Sequence, residues 1–308
     1  MYKINFEKPI HIHFIGIGGI SMSGLAEILL EEGFTVSGSD SKESPLTKKL
    51  ESEGAHIAYG QKAENITPDI DCVVYTAAIS RSNPELIEAV AQKIPMLTRA
   101  ELLGQLMKNY DTPIAVSGTH GKTTTTSMIS HILLEGNMDP TISVGGILKA
   151  IGGNIRVGNS ETFITEACEY TNSFLHFFPK ISVILNIEED HLDFFKDLED
   201  IRHSFHQFAG LLPEDGTLVI NGDIKDYREI YSGLSCNVVT YGSSAEFDYS
   251  ADNITYDENG HVSFDLIRHG EHTDHITLSV TGDHNVSNAL AAIAVADLLD
   301  IPMDITKK

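Results

Sequence analysis

Twice in this chain an apolar strand runs into a glycine turn that opens a helix. In the first case residues 11–15 lead into Gly16-Ile17-Gly18-Gly19-Ile20-Ser21, and Met22, Leu25, Ala26, Ile28 and Leu29 then fall on one helical face. In the second, residues 114–116 lead into Ser117-Gly118-Thr119-His120-Gly121-Lys122-Thr123-Thr124, followed by a helix that buries Met128, Ile129, Ile132 and Leu133. A strand feeding a helix in this way returns to a parallel neighbour by a right-handed crossover. The pattern therefore predicts an α/β chain of parallel sheets, a Rossmann-like domain first and a phosphate-loop (P-loop-type) domain second.

The alternation continues after each start. Gly33 ends the first helix, and a strand over 34–38 runs into Ser39-Asp40. Further helices are predicted over 46–53, 84–92 and 100–108, with strands over 72–76 and 94–97. A polar break at 109–113 separates the two starts and places the domains at 1–108 and 109–308. The length, 308 residues, suits two domains of about 150 each. The second half adds strands over 162–165, 183–187, 218–220 and 238–241, and a final helix over 285–299. A polar stretch, 248–277, carries Asn259-Gly260 between two alternating runs, the pattern of a β-hairpin.

Lys plus Arg number 21 against 44 Asp plus Glu, a net charge of −23. That balance argues against nucleic acid as a partner, which needs a basic footprint, and against docking on an anionic membrane. Small anions remain open to it, because a glycine loop at a helix start holds phosphate through local N–H groups. No uncharged apolar run approaches about 18 residues, so no membrane span is expected. Cys72, Cys168 and Cys236 lie far apart with no CxxC pair, against a disulfide scaffold or a cysteine-pair zinc site. A reducing, cytoplasmic location is the expectation.

The second glycine loop has the parts a phosphate site needs. Gly118 and Gly121 let backbone N–H groups turn toward an anion, Lys122 neutralises outer phosphates, and the following threonine hydroxyl serves Mg²⁺. The usual spacing puts another glycine at 116, where this chain has Val116. A glycine turn into a polar helix start is the competing reading. The first loop has Ser21 where a dinucleotide fingerprint has its third glycine, and Asp40 after the second strand. It reads as a diphosphate cradle, with tight strand–helix packing as the alternative.

Two further strand ends carry Glu166-Ala167-Cys168-Glu169 and Glu188-Glu189-Asp190-His191. Residues just past strand C-termini line the ligand crevice of a parallel sheet, and a carboxylate with an imidazole there suits Mg²⁺ ions that keep several waters. A solvated acidic loop is the plainer reading. The stretch Gly282-Asp283-His284-Asn285-Val286-Ser287-Asn288 is a helix start with Asp283 as candidate N-cap. His and Asn there suit a base edge, and capping explains them equally. His203, His206, His261, His269, His272 and His275 show no metal-ligand spacing and are assigned to the surface.

In this order the motifs resemble those of the Mur ligases, ATP-dependent amide-forming ligases of peptidoglycan precursor synthesis. The resemblance is carried by His13-Phe-Ile-Gly-Ile-Gly-Gly19 with Met22-Ser-Gly-Leu-Ala26, and by Val36-Ser-Gly-Ser-Asp40. It continues through Gly118-Thr-His-Gly-Lys-Thr-Thr-Thr125, Glu166-Ala-Cys-Glu169, the stretch from Asn186 to His191-Leu-Asp193, and His284-Asn-Val-Ser-Asn-Ala-Leu-Ala291. It covers essentially the whole chain.

The resemblance implies that the first domain binds the UDP part of a sugar nucleotide, through Gly16, Gly18, Gly19, Ser21 and Asp40. The central domain would bind ATP, with Gly118, Thr119, His120, Gly121, Lys122, Thr123 and Thr124 around the phosphates and His284 and Asn288 on the adenine. Thr123 and Glu169 would ligate one Mg²⁺ and His191 a second, so that Lys122, Glu169 and His191 form the catalytic set. The branch most resembled joins L-alanine to the lactyl carboxylate of UDP-N-acetylmuramate through an acyl phosphate. The motifs do not separate it from the branch that attaches a ready-made peptide to the same sugar nucleotide. Several siblings carry a carbamoylated lysine fourteen residues past the metal histidine; Phe205 stands there, so no lysine carbamate is expected. The family has a third, C-terminal Rossmann-like domain, which closes over ATP and helps bind the amino acid; the expectation is that this chain, as a fragment or a natural short form, lacks it and that its active site is incomplete. The alternatives from other classes are a nucleotide-binding module without ligase activity and a nicotinamide-dependent oxidoreductase built on the first glycine loop, for which Asp40 speaks and against which the second phosphate loop and its acidic partners speak.

Overall fold

β1 (His11–Ile15) and α1 (Ile20–Glu31) flank the first glycine turn in the structure, a computed structural model whose described residues are 2–76 and 78–308. There follow β2 (Thr35–Asp40), α2 (Pro45–Ser52), β3 (His56–Tyr59), β4 (Cys72–Tyr75), α3 (Pro84–Ala91), β5 (Met96–Thr98) and α4 (Arg99–Met107). These make up a first unit that ends at Asn109. Its strands pair in the order β3-β2-β1-β4-β5, all parallel. The order reverses beside β1, so the glycine turn and the end of β2 open on a topological switch point.

Local chemistry sets the helix starts. Ser44 and Thr47 form a reciprocal capping box before α2, Asn83 caps α3 ahead of Pro84, and Thr98 with Glu101 boxes α4. α1 starts at Gly19 without a side-chain cap, an arrangement that suits an external anion. It buries the face read from the sequence, Met22 through Leu29. β3 escapes the sequence reading because it is a four-residue edge strand with a half-exposed, mixed composition. Asn109, expected in the second domain, belongs to the first unit. Its Nδ2 donates to the Gln105 carbonyl at 2.9 Å and its Oδ1 accepts from the Phe6 amide at 3.1 Å.

The second unit begins at Tyr110. Its elements are β6 (Thr112–Ser117), α5 (Lys122–Glu135), β7 (Thr141–Leu148), β8 (Gly153–Arg156), β9 (Thr162–Ala167), β10 (Ile181–Ile184), α6 (Leu198–Ala209), β11 (Thr217–Asn221), β12 (Asn237–Gly242), β13 (Tyr249–Tyr256), β14 (His261–Arg268), β15 (Glu271–Thr281), α7 (His284–Leu298) and α8 (Met303–Thr306). One sheet runs β15-β14-β13-β12-β11-β10-β6-β9-β7-β8. β6 lies between β10 and β9 and is parallel to both, so this sheet also has its switch point at its first strand. α5 and α7 share the buried core through Ile129, Leu133, Val286, Leu290 and Ile293.

Several expectations need adjustment. The antiparallel ribbon β7–β8 has no clean alternation in sequence, because Gly145, Gly146, Gly152 and Gly153 interrupt it. β10 stops at Ile184, which leaves residues 185–187 as loop. The hairpin around Asn259-Gly260 forms between β13 and β14, and Gly260 takes φ +81. β15 extends it to a meander through His269 and Gly270, both left-handed at φ +49 and +83, the signature of a tight hairpin turn. His206 is half-buried rather than superficial, with Nδ1 3.0 Å from the Ile230 carbonyl. Asp283 does not cap α7: its backbone is already helical, and its carboxylate accepts from the Tyr256 phenol at 2.9 Å. Among the described residues no helix is long and apolar enough to cross a membrane.

Candidate functional site

β6 continues to Ser117, and Val116 is a fully buried strand residue. The turn therefore begins at Gly118, which explains why no glycine is needed at 116. Gly118 and Gly121 have φ +146 and +85, conformations that a side chain resists. α5 begins at Lys122 with Gly121 as an N-cap that offers no side-chain bond, so the helix start is open to an anion. Lys122 Nζ donates to the carbonyls of Gly118 and Thr119 and pairs with Glu169 at 3.0 and 3.3 Å. The Lys122 ammonium is thus held over the loop.

A second strand end is stitched to this loop. The Thr119 amide donates to the Asn186 carbonyl at 3.2 Å. The Asn186 side chain grips His120 at both ends: Oδ1 accepts from its amide at 2.8 Å and Nδ2 donates to its carbonyl at 3.0 Å. The Glu188 amide donates to Thr119 Oγ1 at 2.9 Å. Asn186 has no assigned role in the sequence reading, although it lies in the stretch that carries the resemblance. Its contact spans 66 positions, which no local pattern reveals. The His120 side chain itself is exposed.

The acidic groups divide differently from expectation. Glu166 stands inside β9, not past its end, and accepts from Thr123 Oγ1 at 3.0 Å and from the Gly145 amide at 2.5 Å. Glu169, expected to share a cation with Thr123, is 1% exposed and lies on Lys122. His191 brings Nε2 to 3.9 Å from Glu169 Oε1. Its backbone is left-handed, φ +53, and its ring lies against that of Tyr170 with centroids 4.5 Å apart. Tyr170 in turn donates to Asp193 at 2.8 Å, and that bond holds its phenol above the usual range. Among the described residues no three His, Cys, Asp or Glu side chains converge on one point. The oxygen donors present suit a cation that needs few protein ligands, as Mg²⁺ does.

Thr124 lies in the first turn of α5 and is half-buried. Asn288 is buried against the loop: a Cβ on Gly121 would sit 2.8 Å from its Oδ1. Its Nδ2 donates to Asn285 Oδ1 at 2.9 Å. His284, one turn earlier, is exposed at the start of α7. Phe205 is a core ring, edge-on to Phe174 with centroids 5.4 Å apart.

In the first unit the glycine turn is fixed by the end of β2. The amides of Gly16 and Ile17 donate to the Ser39 carbonyl at 2.9 and 3.0 Å. The Gly18 amide donates to Asp40 Oδ2 at 2.8 Å, and Asp40 Oδ1 accepts from the Ser41 amide at 2.7 Å. Asp40 therefore closes the turn. Gly16 takes φ +85, while Gly19 and Ser21 lie exposed at the start of α1.

Two family models match the chain, the Mur ligase family catalytic domain over residues 11–111 and the Mur ligase middle domain over residues 116–296. The UDP-N-acetylmuramate–L-alanine ligase of Agathobacter rectalis is 64% identical over 301 residues, covering 98% of this chain and 66% of that protein. The chain thus spans about two thirds of that relative's length. A crystal structure of UDP-N-acetylmuramate:L-alanyl-gamma-D-glutamyl-meso-diaminopimelate ligase from Neisseria meningitides superposes with a TM-score of 0.86 at 29% identity, covering 97% of both chains. The UDP-N-acetylmuramate-alanine ligase of Thermotoga maritima gives a TM-score of 0.80 at 30% identity over 97% of this chain and 67% of that one.

Proposed function

The chain belongs to the Mur ligase family, and on that premise we propose that it supplies the sugar-nucleotide and ATP sites of a UDP-N-acetylmuramate–L-alanine ligase. The first unit, with its turn at Gly16, Gly18, Gly19 and Ser21 closed by Asp40, holds the UDP portion. The second holds ATP. The observation that carries this reading is the phosphate loop, where Lys122, Thr123, Glu166 and Glu169 gather at one helix start.

The chemistry follows from that arrangement. A lactyl carboxylate oxygen attacks the γ-phosphorus of ATP, the bond to the β–γ bridging oxygen breaks, and ADP leaves. Lys122 and the backbone amides at the start of α5 hold the phosphates in line and stabilise the charge that spreads over the transferred group. The amine of L-alanine then adds to the acyl phosphate carbonyl. The tetrahedral adduct loses inorganic phosphate and a proton to give the amide. Holding the reactants together is the main protein contribution. Thr123 and Glu166, hydrogen-bonded to each other, would hold one Mg²⁺, and Glu169 with His191 a second. When bound, Mg²⁺ adds further charge neutralisation at the phosphates. Asn288 and His284 are assigned to the adenine.

Calorimetry on this chain tests the reading: UDP-N-acetylmuramate and Mg-ATP each bind, and Lys122→Ala removes the second. Failure of Mg-ATP to bind overturns the phosphate-loop assignment. A second reading, transfer of a ready-made peptide, is favoured by the TM-score of 0.86 to the Neisseria ligase, while the 64% identical relative weighs toward L-alanine. Phosphate release with L-alanine against release with the tripeptide decides between them.

A further inference from the structure

The mechanism makes no use of Glu85, a carboxylate with no exposed surface at the second position of α3. Burying a charge is costly unless its oxygens are bonded. Here Oε2 accepts from Ser39 Oγ at 2.5 Å, Oε1 accepts from Asn65 Nδ2, and His13 Nε2 lies 3.9 Å from Oε2. Burial alone would push this carboxyl up; the donors around it overcome that and hold it below the usual range. Of the three facing polar residues, Ser39 and His13 are themselves buried. A buried charge adds little net stability, so the geometry it fixes is the stronger account of its presence.

That geometry leads straight to the glycine turn. Ser39, held through its hydroxyl by Glu85, accepts the Gly16 and Ile17 amides on its carbonyl. The next residue, Asp40, accepts the Gly18 amide. We propose that Glu85 is a positioning residue for the sugar-nucleotide site: it fixes Ser39, and through Ser39 and Asp40 the turn that receives the diphosphate. Asn65 bonds the other carboxylate oxygen and the Gly60 carbonyl; it makes no bond of its own to residues 16–18 or to Ser39 and reaches Asp40 only through the Gly60 amide, so it bears on the turn less directly than Ser39 does. This rests on the reading of the first unit given above.

The test is calorimetric titration of UDP-N-acetylmuramate into this chain and three variants, with thermal unfolding alongside. Glu85→Gln keeps shape but loses the charge, and weakens affinity about tenfold, the scale of one charge-assisted hydrogen bond. Ser39→Ala cuts the link to the turn and produces a similar loss. Asn65→Ala lowers the unfolding temperature as Ser39→Ala does, yet leaves affinity within about twofold of wild type. A merely structural role would weaken Ser39→Ala and Asn65→Ala alike, and that result overturns the proposal, as does wild-type affinity in Glu85→Gln. If Glu85→Gln does not fold, the Ser39→Ala and Asn65→Ala pair still decides. Absence of binding by the wild-type chain overturns the reading of the first unit, and this proposal with it.

Discussion

Thr123 and Glu166 are joined by a 3.0 Å hydrogen bond across the phosphate loop, while Glu169, three residues on, lies against Lys122 instead. The pairing makes Glu166 the carboxylate bonded to the hydroxyl proposed to serve a nucleotide-bound Mg²⁺. Glu166→Gln is therefore expected to raise the Mg²⁺ concentration needed for ATP binding by about tenfold or more. Glu169→Gln shifts it less. Titrations of Mg²⁺ at fixed ATP measure both, and a larger shift for Glu169→Gln would return the principal ligand role to that residue.

Lys122 and Glu169 form a pair with 17% and 2% of their side chains exposed. Removing one partner leaves the other charge buried, which typically costs about 3 kcal/mol or more. Lys122→Met is thus expected to lose both stability and ATP binding. The double variant Lys122→Met, Glu169→Gln recovers most of the stability and none of the binding. Urea unfolding and calorimetry separate the two effects; recovery of ATP binding in the double variant would remove Lys122 from the site.

The parts of the fold that were legible are those written in consecutive residues. Both strand–glycine–helix starts are such parts, with Lys122 and Thr123 fixed by their place after Gly121. The division of labour between Glu166 and Glu169 was not legible, because two carboxylates three apart satisfy the same pattern. What separates them in the structure is that β9 runs on through Ala167, which keeps Glu166 in the strand beside Thr123. Asn186 and Glu85 were hidden for another reason: each acts on a segment distant in sequence, 66 and 46 positions away. The four-residue edge strands β3 and β8 bury at most one residue each, so hydrophobic periodicity had nothing to report.

Cys72 is fully buried in β4, and burial pushes its thiol up to about 12. A thiol so placed is neither ionised nor reachable near neutral pH. Alkylation of the native chain at pH 8 is expected to leave Cys72 unmodified, and denaturant to expose it. Mass spectrometry of the peptide containing Cys72 reads this directly; rapid native labelling would mean that the first unit opens readily around β4.

Asp139 lies in the turn before β7 at φ +50, and its carboxylate accepts from Arg156 and from the Asn159 amide and side chain. The Arg156 guanidinium, with Asn159, holds its carboxyl down to about 2. An unfolded aspartate titrates near 3.9. A carboxyl lowered on folding contributes stability that is complete above about pH 4 and is lost as pH falls through about 2. Asn tolerates the left-handed backbone, so Asp139→Asn removes the charge without straining the turn. Wild type is therefore expected to exceed the variant in stability at pH 6 by a margin that shrinks below about pH 4 and vanishes near pH 2. Urea unfolding of the second unit between these limits measures the margin. A margin independent of pH would show that the Asp139–Arg156 pair contributes through shape and not through charge.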